Sequence, residues 1–245
     1  MKTAGLTLEI FEAFAAAKKP LSLSELARLV DSPVSSCHGL LQNLQKSGYV
    51  YAFDLRRQYY PTRRLFDIGA EIAVHDPIVD RITPILERLR AKTAETILLG
   101  RLQINQIVYL NVRESPQTIR YTATAGAIKP LLSSAIGKAF LGEMLDEELS
   151  VFLHTAEHIQ VTSSTIVDPT QLLADIQRSR KRGYFVTRGE NVPDVLAVAR
   201  TCKMGSETIG IAVAGPIHRM EEKVNRIGEA LIDETTAVAS LDAKY

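Results

Sequence analysis

Apolar positions recur at helical spacing in the first fifth of the chain and then change period twice, and these changes divide it. Between residues 4 and 17, Leu6, Leu8, Ile10, Phe11 and Phe14 alternate with small or acidic residues, predicting an amphipathic helix that stops before Lys18-Lys19-Pro20. A second helix follows at once. Ser22 with Glu25 three positions on forms a capping box, and Leu26, Ala27 and Val30 supply the inner face. The third lies within DSPVSSCHGLLQNLQKSGYV, residues 31–50. Ser32 is placed to cap it, Pro33 suits its first position, and Cys37, Leu40, Leu41 and Leu44 fall at the i, i+3, i+4, i+7 spacing of a buried stripe. Gly48 supplies the expected left-handed end. The β-prone runs 49–53 and 58–60 then flank Asp54-Leu55-Arg56-Arg57, a hairpin with a basic tip. Three short helices and a hairpin are the order of a winged helix-turn-helix, assigned to residues 1–62.

Beyond Pro61, Leu65, Ile68, Ile72 and Val74 mark a connecting helix, assigned to residues 63–76. It contains no Gly/Ser-rich run, so a stiff connection is expected. Residues 78–93 read as another amphipathic helix, after which the chain becomes β-rich. Strands are expected at 96–102, 106–112 and 118–124. Helices follow at 133–144, 147–154 and 169–182, then strands at 184–187, 195–202 and 208–214, and a last helix at 220–239. An antiparallel sheet with helices around it is an α+β architecture, assigned to residues 77–245. There is no internal repeat and no low-complexity tract.

Composition narrows the class of protein. Hydrophobic residues make up 46% and charged ones 23% of the 245 residues, and the mean hydropathy is +0.01, the make-up of a globular chain. No apolar run approaches the roughly 20 residues that cross a bilayer, and Glu9 and Glu12 interrupt the first helix where a signal peptide would be apolar. A cytoplasmic location without membrane partners is therefore expected. The two cysteines, Cys37 and Cys202, lie far apart, which argues against a disulfide or a thiolate zinc site. The net charge of +1 hides an asymmetry. Residues 1–64 hold nine Lys/Arg against five Asp/Glu, whereas residues 65–245 hold twenty against twenty-three. A small basic domain joined to a larger, mildly acidic one suits a nucleic-acid binder that carries a sensor.

The third helix explains what that basic domain reads. Ser35, Ser36, His38, Gly39, Gln42, Asn43 and Lys46 face outward, offering many donors and acceptors and little charge. Such a surface suits base edges, leaving Arg56 and Arg57 of the hairpin, with Arg63 and Arg64, to attract phosphates. For the larger domain, Ser133 and Ser134 before a helix and His154 and His158 downstream do not amount to a catalytic set. The chain has no G-x-S-x-G elbow, H-E-x-x-H pair, G-x-G-x-x-G or P-loop. No catalytic residue, metal ligand or cofactor is assigned. The competing class is a small-molecule-binding or catalytic α+β protein whose winged helix serves protein contacts only.

Several segments, in this order and spacing, resemble the IclR transcriptional regulators over essentially the whole chain. They are LSLSELARLVDSPVSSCHGLLQNLQKSGYV, IVYLNVRES, KPLLSSAIGKAFL, RSRKRGYFV and IGIAVAGP. The resemblance implies a winged helix-turn-helix, a linker helix and a GAF/PAS-like effector-binding domain, assembled as a homodimer or homotetramer on double-stranded operator DNA. It also implies a repressor, controlled by a small organic acid or related metabolite. On the residues above it assigns DNA contacts to Ser35, Ser36, His38, Gln42, Asn43, Lys46, Arg56 and Arg57. Effector contacts fall to Leu99, Ser133, Ser134, Ala135, Ile136, Thr187, Ala197, Ala212 and Ala214. The chain also departs from the family pattern. Where members often carry Pro-Lys-Ser-Thr-Val-His-Arg at the recognition helix, it has Pro33-Val34-Ser35-Ser36-Cys37-His38-Gly39, with two basic positions missing. Thr187 stands at a usually acidic position, Ala197 at a frequent Cys or Ser, and Ala212 and Ala214 where some members have serines. A pocket less polar than the family norm is expected, with the polar end of its ligand at the start of the 133–144 helix.

Overall fold

The computed structural model describes residues 2–53 and 57–242, and the chain separates into two compact units, residues 1–76 and 77–245. In the first unit, α1 (Lys2–Ala17), α2 (Leu23–Leu29) and α3 (Val34–Lys46) pack with a three-stranded sheet made of β1 (Leu21–Ser22), β2 (Val50–Phe53) and β3 (Gln58–Pro61). The three helices and β2 converge on one core of Ile10, Phe14, Leu21, Leu26, Leu41, Leu44 and Val50. The capping box forms as read: the Glu25 N–H donates to Ser22 Oγ at 3.3 Å, and the Ser22 N–H donates to Glu25 Oε2 at 2.8 Å. Gly48 adopts φ +75°, a conformation that other residues reach at a penalty, and turns the chain from α3 into β2. The strand β1 is too short to carry a period and was not foreseen; it pairs with β3.

The start of α3 differs from the reading. Pro33, extended at φ −55° and ψ 138°, occupies the cap position without a side-chain hydrogen bond, and the helix begins at Val34. Ser32 belongs instead to the end of α2. Asp31 is left-handed (φ 45°), and the Ser32 N–H donates back to Ala27 O at 3.0 Å, closing that helix. The unit ends in α4 (Arg64–Val74), none of whose residues is buried; Leu65, Phe66, Ile68, Ile72 and Val74 are exposed.

The second unit is a six-stranded antiparallel sheet with helices on both faces. Its strands are β4 (Thr96–Gln103), β5 (Gln106–Arg113), β6 (Ile128–Pro130), β7 (Phe185–Arg188), β8 (Val195–Met204) and β9 (Glu207–Pro216), in the order β6-β5-β4-β9-β8-β7. One face carries α5 (Pro77–Thr93) and, after the short α9 (Ile217–Met220), the long α10 (Val224–Asp242). There Ile82, Leu86 and Leu89 meet Leu99, Ile211, Val213 and Leu231. The other face carries α6 (Ala135–Leu141), α7 (Asp146–Thr155) and α8 (Pro169–Arg182). It presents small residues, Ala199, Ala212 and Ala214, to Ile136, Phe140 and Ile176. Small residues are needed because α6 lies almost on the strands. A methyl added to Gly210 would overlap Ile136, and one added to Gly137 would run into the Leu131 carbonyl.

The strand expected at residues 118–124 does not form. The chain from Ser115 to Ala127 is irregular, and β6 forms later, pairing Ile128 with Val108 and Pro130 with Gln106. Side chains take over the work of a ladder in this segment. Thr96 Oγ1 donates to Tyr121 O at 2.6 Å and accepts the Ser115 N–H at 3.1 Å. A β-prone sequence thereby stays outside the sheet while its backbone polar groups still find partners.

Candidate functional sites

The first candidate surface is the outer side of α3. Because Cys37, Leu41 and Leu44 are drawn into the core, with Leu40 half-buried, the opposite side is fixed: Ser35, Ser36, His38, Gly39, Gln42, Asn43 and Lys46 are all exposed. His38 Nε2 and Gln42 Nε2, one turn apart, lie 3.4 Å from each other, so these two side chains present a joint pair of polar groups. Val34 is also exposed, which puts a small apolar side chain at the start of the same face. Arg57 is exposed at the end of the hairpin turn with φ 48°. Arg56, with Asp54 and Leu55, lies outside the described residues. Arg63 pairs with Asp67 at 3.2 Å and lies over the Phe66 ring, and Arg64 lies over Tyr49 at 5.0 Å. Their guanidinium groups are thus held along the start of α4.

The second candidate site is a small cavity of about 30 Å³ between α6 and the sheet, well below the few hundred Å³ of a ligand pocket. Ser134 and Ala135 form its helix side, and Leu98, Thr187, Ala197 and Ala214 form its sheet side. The expected residues Ser134, Ala135, Thr187, Ala197 and Ala214 are therefore brought together. The other four are not. Leu99 points to the opposite face, into the α5 and α10 core, and its neighbour Leu98 lines the cavity. Three consecutive buried residues, Ile97, Leu98 and Leu99, give no alternation by which to assign faces. Ala212 shares the cavity's face but lies under α6 without lining the cavity, and Ile136 fills the space above Gly210. Ser133 faces a separate groove beside β6, and its Oγ receives the Asn191 side-chain amide at 3.4 Å.

Besides Leu98, five lining residues escaped the sequence reading: Tyr109, Tyr121, Asn191, Val192 and Val195. Tyr121 comes from the irregular segment and the next two from the turn between β7 and β8, so no period announced them. Burial, and then the neighbouring Tyr121 phenol, raise the Tyr109 pKa well above the ordinary phenol value, so its hydroxyl stays neutral. Tyr121, Val192 and Val195 also line an outer groove with Arg120 and His218, and so stand between the cavity and solvent.

No Lys, Arg, Asp or Glu lines the cavity. Its polar equipment is neutral: two phenols, the Thr187 hydroxyl, the Asn191 amide and the backbone at the start of α6. The Ser134 hydroxyl is already committed to the fold, donating to Pro130 O at 2.6 Å and accepting the Gly137 N–H at 3.2 Å. It is a cap with no proton left to offer. A cavity so furnished holds a small molecule by shape and a few neutral hydrogen bonds, and it contains no nucleophile–base pair. Among the described residues no cluster of His, Cys, Asp or Glu fit to bind a metal occurs, and no helix is long and apolar enough to cross a membrane.

Comparison with known proteins agrees with both halves. Residues 7–52 match the IclR helix-turn-helix domain, and residues 70–240 match the family described as bacterial transcriptional regulator IclR, C-terminal. The chain is 29% identical over 204 residues to the HTH-type transcriptional repressor AllR of Escherichia coli K12, covering 82% of this chain and 75% of that one. Among solved structures it is similar to the Thermotoga maritima IclR, with a TM-score of 0.81, 25% identity and 99% of each chain covered. It also shares its fold with an IclR homologue from Microbacterium hydrocarbonoxydans, with a TM-score of 0.73, 17% identity and 97% and 99% of the two chains covered.

Proposed function

The chain belongs to the IclR family of bacterial transcriptional regulators, and on that premise we propose that it represses transcription by holding operator DNA with α3, under the control of a small organic acid bound in the cavity beside α6. The observation that carries this reading is the pairing of two surfaces in one chain: a helix that exposes a nearly uncharged polar face, and a closed neutral cavity in a separate unit. The helix enters the major groove, where Ser35, Ser36, His38, Gln42 and Asn43 meet base edges and Lys46 meets a phosphate. Arg57 and its neighbour Arg56 touch the backbone from the hairpin. The protein works in the cytoplasm as a homodimer or homotetramer, since a palindromic operator calls for symmetric copies.

At about 30 Å³ the cavity must widen to admit one carboxylate or carbonyl group and an apolar body of a few carbons, and its lining has no cation to favour a dicarboxylate or a phosphate. The Microbacterium homologue is described in complex with 4-hydroxybenzoate, which makes that acid, with benzoate and acids of two to four carbons, the first panel to try. Ligand acts through linkage: it binds one arrangement of the oligomer better than the other and changes the spacing of the paired recognition helices. No catalytic step is proposed.

The test is fluorescence anisotropy of full-length protein on its own upstream DNA, with random DNA as the reference and each acid of the panel as competitor. Preference for the upstream fragment by a factor of a thousand or more, shifted by one acid, is expected. Equal affinity for both DNAs would refute the operator reading, and indifference of both affinity and melting temperature to every acid would refute the effector reading.

A further inference from the structure

Lys138, in the middle of α6, is the largest completely buried side chain among the described residues. Its Nζ donates to Asp175 Oδ2 of α8 at 2.8 Å and to Glu190 Oε1 at 2.9 Å, with Glu190 Oε2 at 2.7 Å. Glu190 is buried with Lys138 as its ion-pair partner, whereas Asp175 is 21% exposed and also meets Arg178 Nη2 at 3.6 Å, so the loss of Lys138 falls mainly on Glu190. The carboxyl of Glu190 is itself buried, which raises its pKa while Lys138 opposes the rise.

The two carboxylates differ in what they are attached to. Asp175 sits in the middle of α8, a helix already capped by Asp168 and closed by Gly183 at φ 88°. Glu190 sits in the turn between β7 and β8, directly before Asn191 and Val192, which form one wall of the cavity. The backbone of this turn is closed by the Gly189 N–H donating to Val195 O at 2.8 Å and the Val195 N–H donating to Val192 O at 3.3 Å, and Asp194 O accepts the Ile217 N–H at 2.8 Å. Thr165 Oγ1 donates to Glu190 O at 2.7 Å, Thr162 Oγ1 donates to Gly189 O at 2.6 Å, and Asn191 reaches Ser133 Oγ at the long distance of 3.4 Å. Lys138 lies one turn beyond Ser134 and Ala135 on the helix that forms the facing side. The Lys138–Glu190 pair thus ties the two sides of the cavity together from below, without lining it.

We propose that Lys138 is a positioning residue of the cavity, and that its ion pair with Glu190 is a latch holding the 189–194 turn closed over the ligand. The inference rests on the effector reading of this cavity. The latch sets how often the Asn191–Val192 wall lifts, and so the rate at which a ligand passes between the cavity and the groove bordered by Tyr121, Val192 and Val195. It changes access and residence time without touching the ligand.

Two conservative variants separate this role from simple structural support. Glu190→Gln and Asp175→Asn each replace a carboxylate partner of Lys138 with a neutral amide of nearly the same shape, and simple support predicts that either change loosens α6 and the turn together. The latch predicts otherwise. In the ligand-free, full-length protein, amide hydrogen exchange at Gly189, Val195 and Ile217, whose N–H groups tie down the turn, should accelerate about tenfold in Glu190→Gln. Asp175→Asn should leave those amides near the wild-type rate, even if its melting temperature falls as far. With 4-hydroxybenzoate, or whichever acid of the panel binds wild type, association and dissociation should both quicken about tenfold in Glu190→Gln alone, leaving the equilibrium constant little changed. Unaltered exchange at Gly189, Val195 and Ile217 in Glu190→Gln, or the same acceleration in Asp175→Asn, overturns the latch. If none of the panel binds wild type, the effector reading fails for these acids, and the exchange comparison still decides whether Lys138 holds the turn.

Discussion

Helices α3 and α6 carry the two candidate sites and solve opposite problems. Of the 13 residues of α3 only Cys37, Leu41 and Leu44 are buried, whereas all seven residues of α6 are, a lysine included. A helix that reads another molecule must keep its chemistry outside, where the fold constrains it little. A helix that forms a cavity wall has its chemistry completed by distant parts of the chain. Lys138 finds its partners 37 and 52 residues downstream. Substitutions should therefore act on stability in α6 and on partner choice in α3.

The largest expected effect tests this division directly. Lys138→Met leaves Glu190 buried without its cation and Asp175, 21% exposed, with Arg178 alone, and should destabilise the second unit by about 3–5 kcal/mol in chemical denaturation. The change in unfolding free energy is the readout. A loss below about 1 kcal/mol would mean that water or another cation reaches the carboxylates, and the contrast between the two helices would weaken.

Next in size are Gln42→Ala and Ser36→Ala on α3. Each should cost about 1–3 kcal/mol in discrimination between the operator and the same site with one base changed, while stability stays within about 0.5 kcal/mol of wild type. Competition binding with single-base operator variants measures the first, and thermal melting the second. If Gln42→Ala weakens operator and random DNA alike, that side chain reads no base. A double variant with His38→Ala would then show whether the His38–Gln42 pair acts as one group.

The same contrast explains what could be read in advance. The outer face of α3 was legible because the stripe of Cys37, Leu41 and Leu44 fixes which side faces out, and exposure needs no knowledge of the rest of the chain. The helices of both units and most of the sheet followed from period and capping, as at Ser22 and Glu25. The cavity was legible only in part. Ser134, Thr187, Ala197 and Ala214 came from the resemblance, but Leu99 was placed on the wrong face because a strand buried on both sides shows no alternation. Tyr121 was hidden by a β-prone run that the Thr96 hydroxyl holds out of the sheet. Asn191 and Val192 lie in a turn whose position depends on Lys138 and Thr165, and no local pattern encodes that.

Tyr121→Phe sharpens the interior side of the comparison by removing one hydroxyl from the cavity. The Tyr121 side chain lines the cavity beside Tyr109, where its hydroxyl can meet a polar group of a ligand. The variant should bind a ligand that bonds to this hydroxyl roughly three- to tenfold more weakly and an unsubstituted apolar acid almost unchanged, as one neutral hydrogen bond predicts. Calorimetric titration with 4-hydroxybenzoate and benzoate makes the comparison. An equal loss for both acids would indicate a role in shape alone.

The smallest effect is expected at Arg57, where the first unit presents charge without shape. Its side chain is exposed on the turn before β3, with φ at 48°. A phosphate contact made there carries no sequence information. Arg57→Ala should therefore weaken operator and random DNA by the same few-fold factor. It should also lower the slope of log K against log salt by about 0.9, the counterion release of one phosphate. Gln42→Ala should leave that slope unchanged, since a neutral side chain releases no counterion. Binding isotherms between about 50 and 200 mM salt give both numbers. An unchanged slope in Arg57→Ala would remove the hairpin from the DNA interface. It would leave α3, with Lys46 as its only cation, to hold the operator without help from the wing.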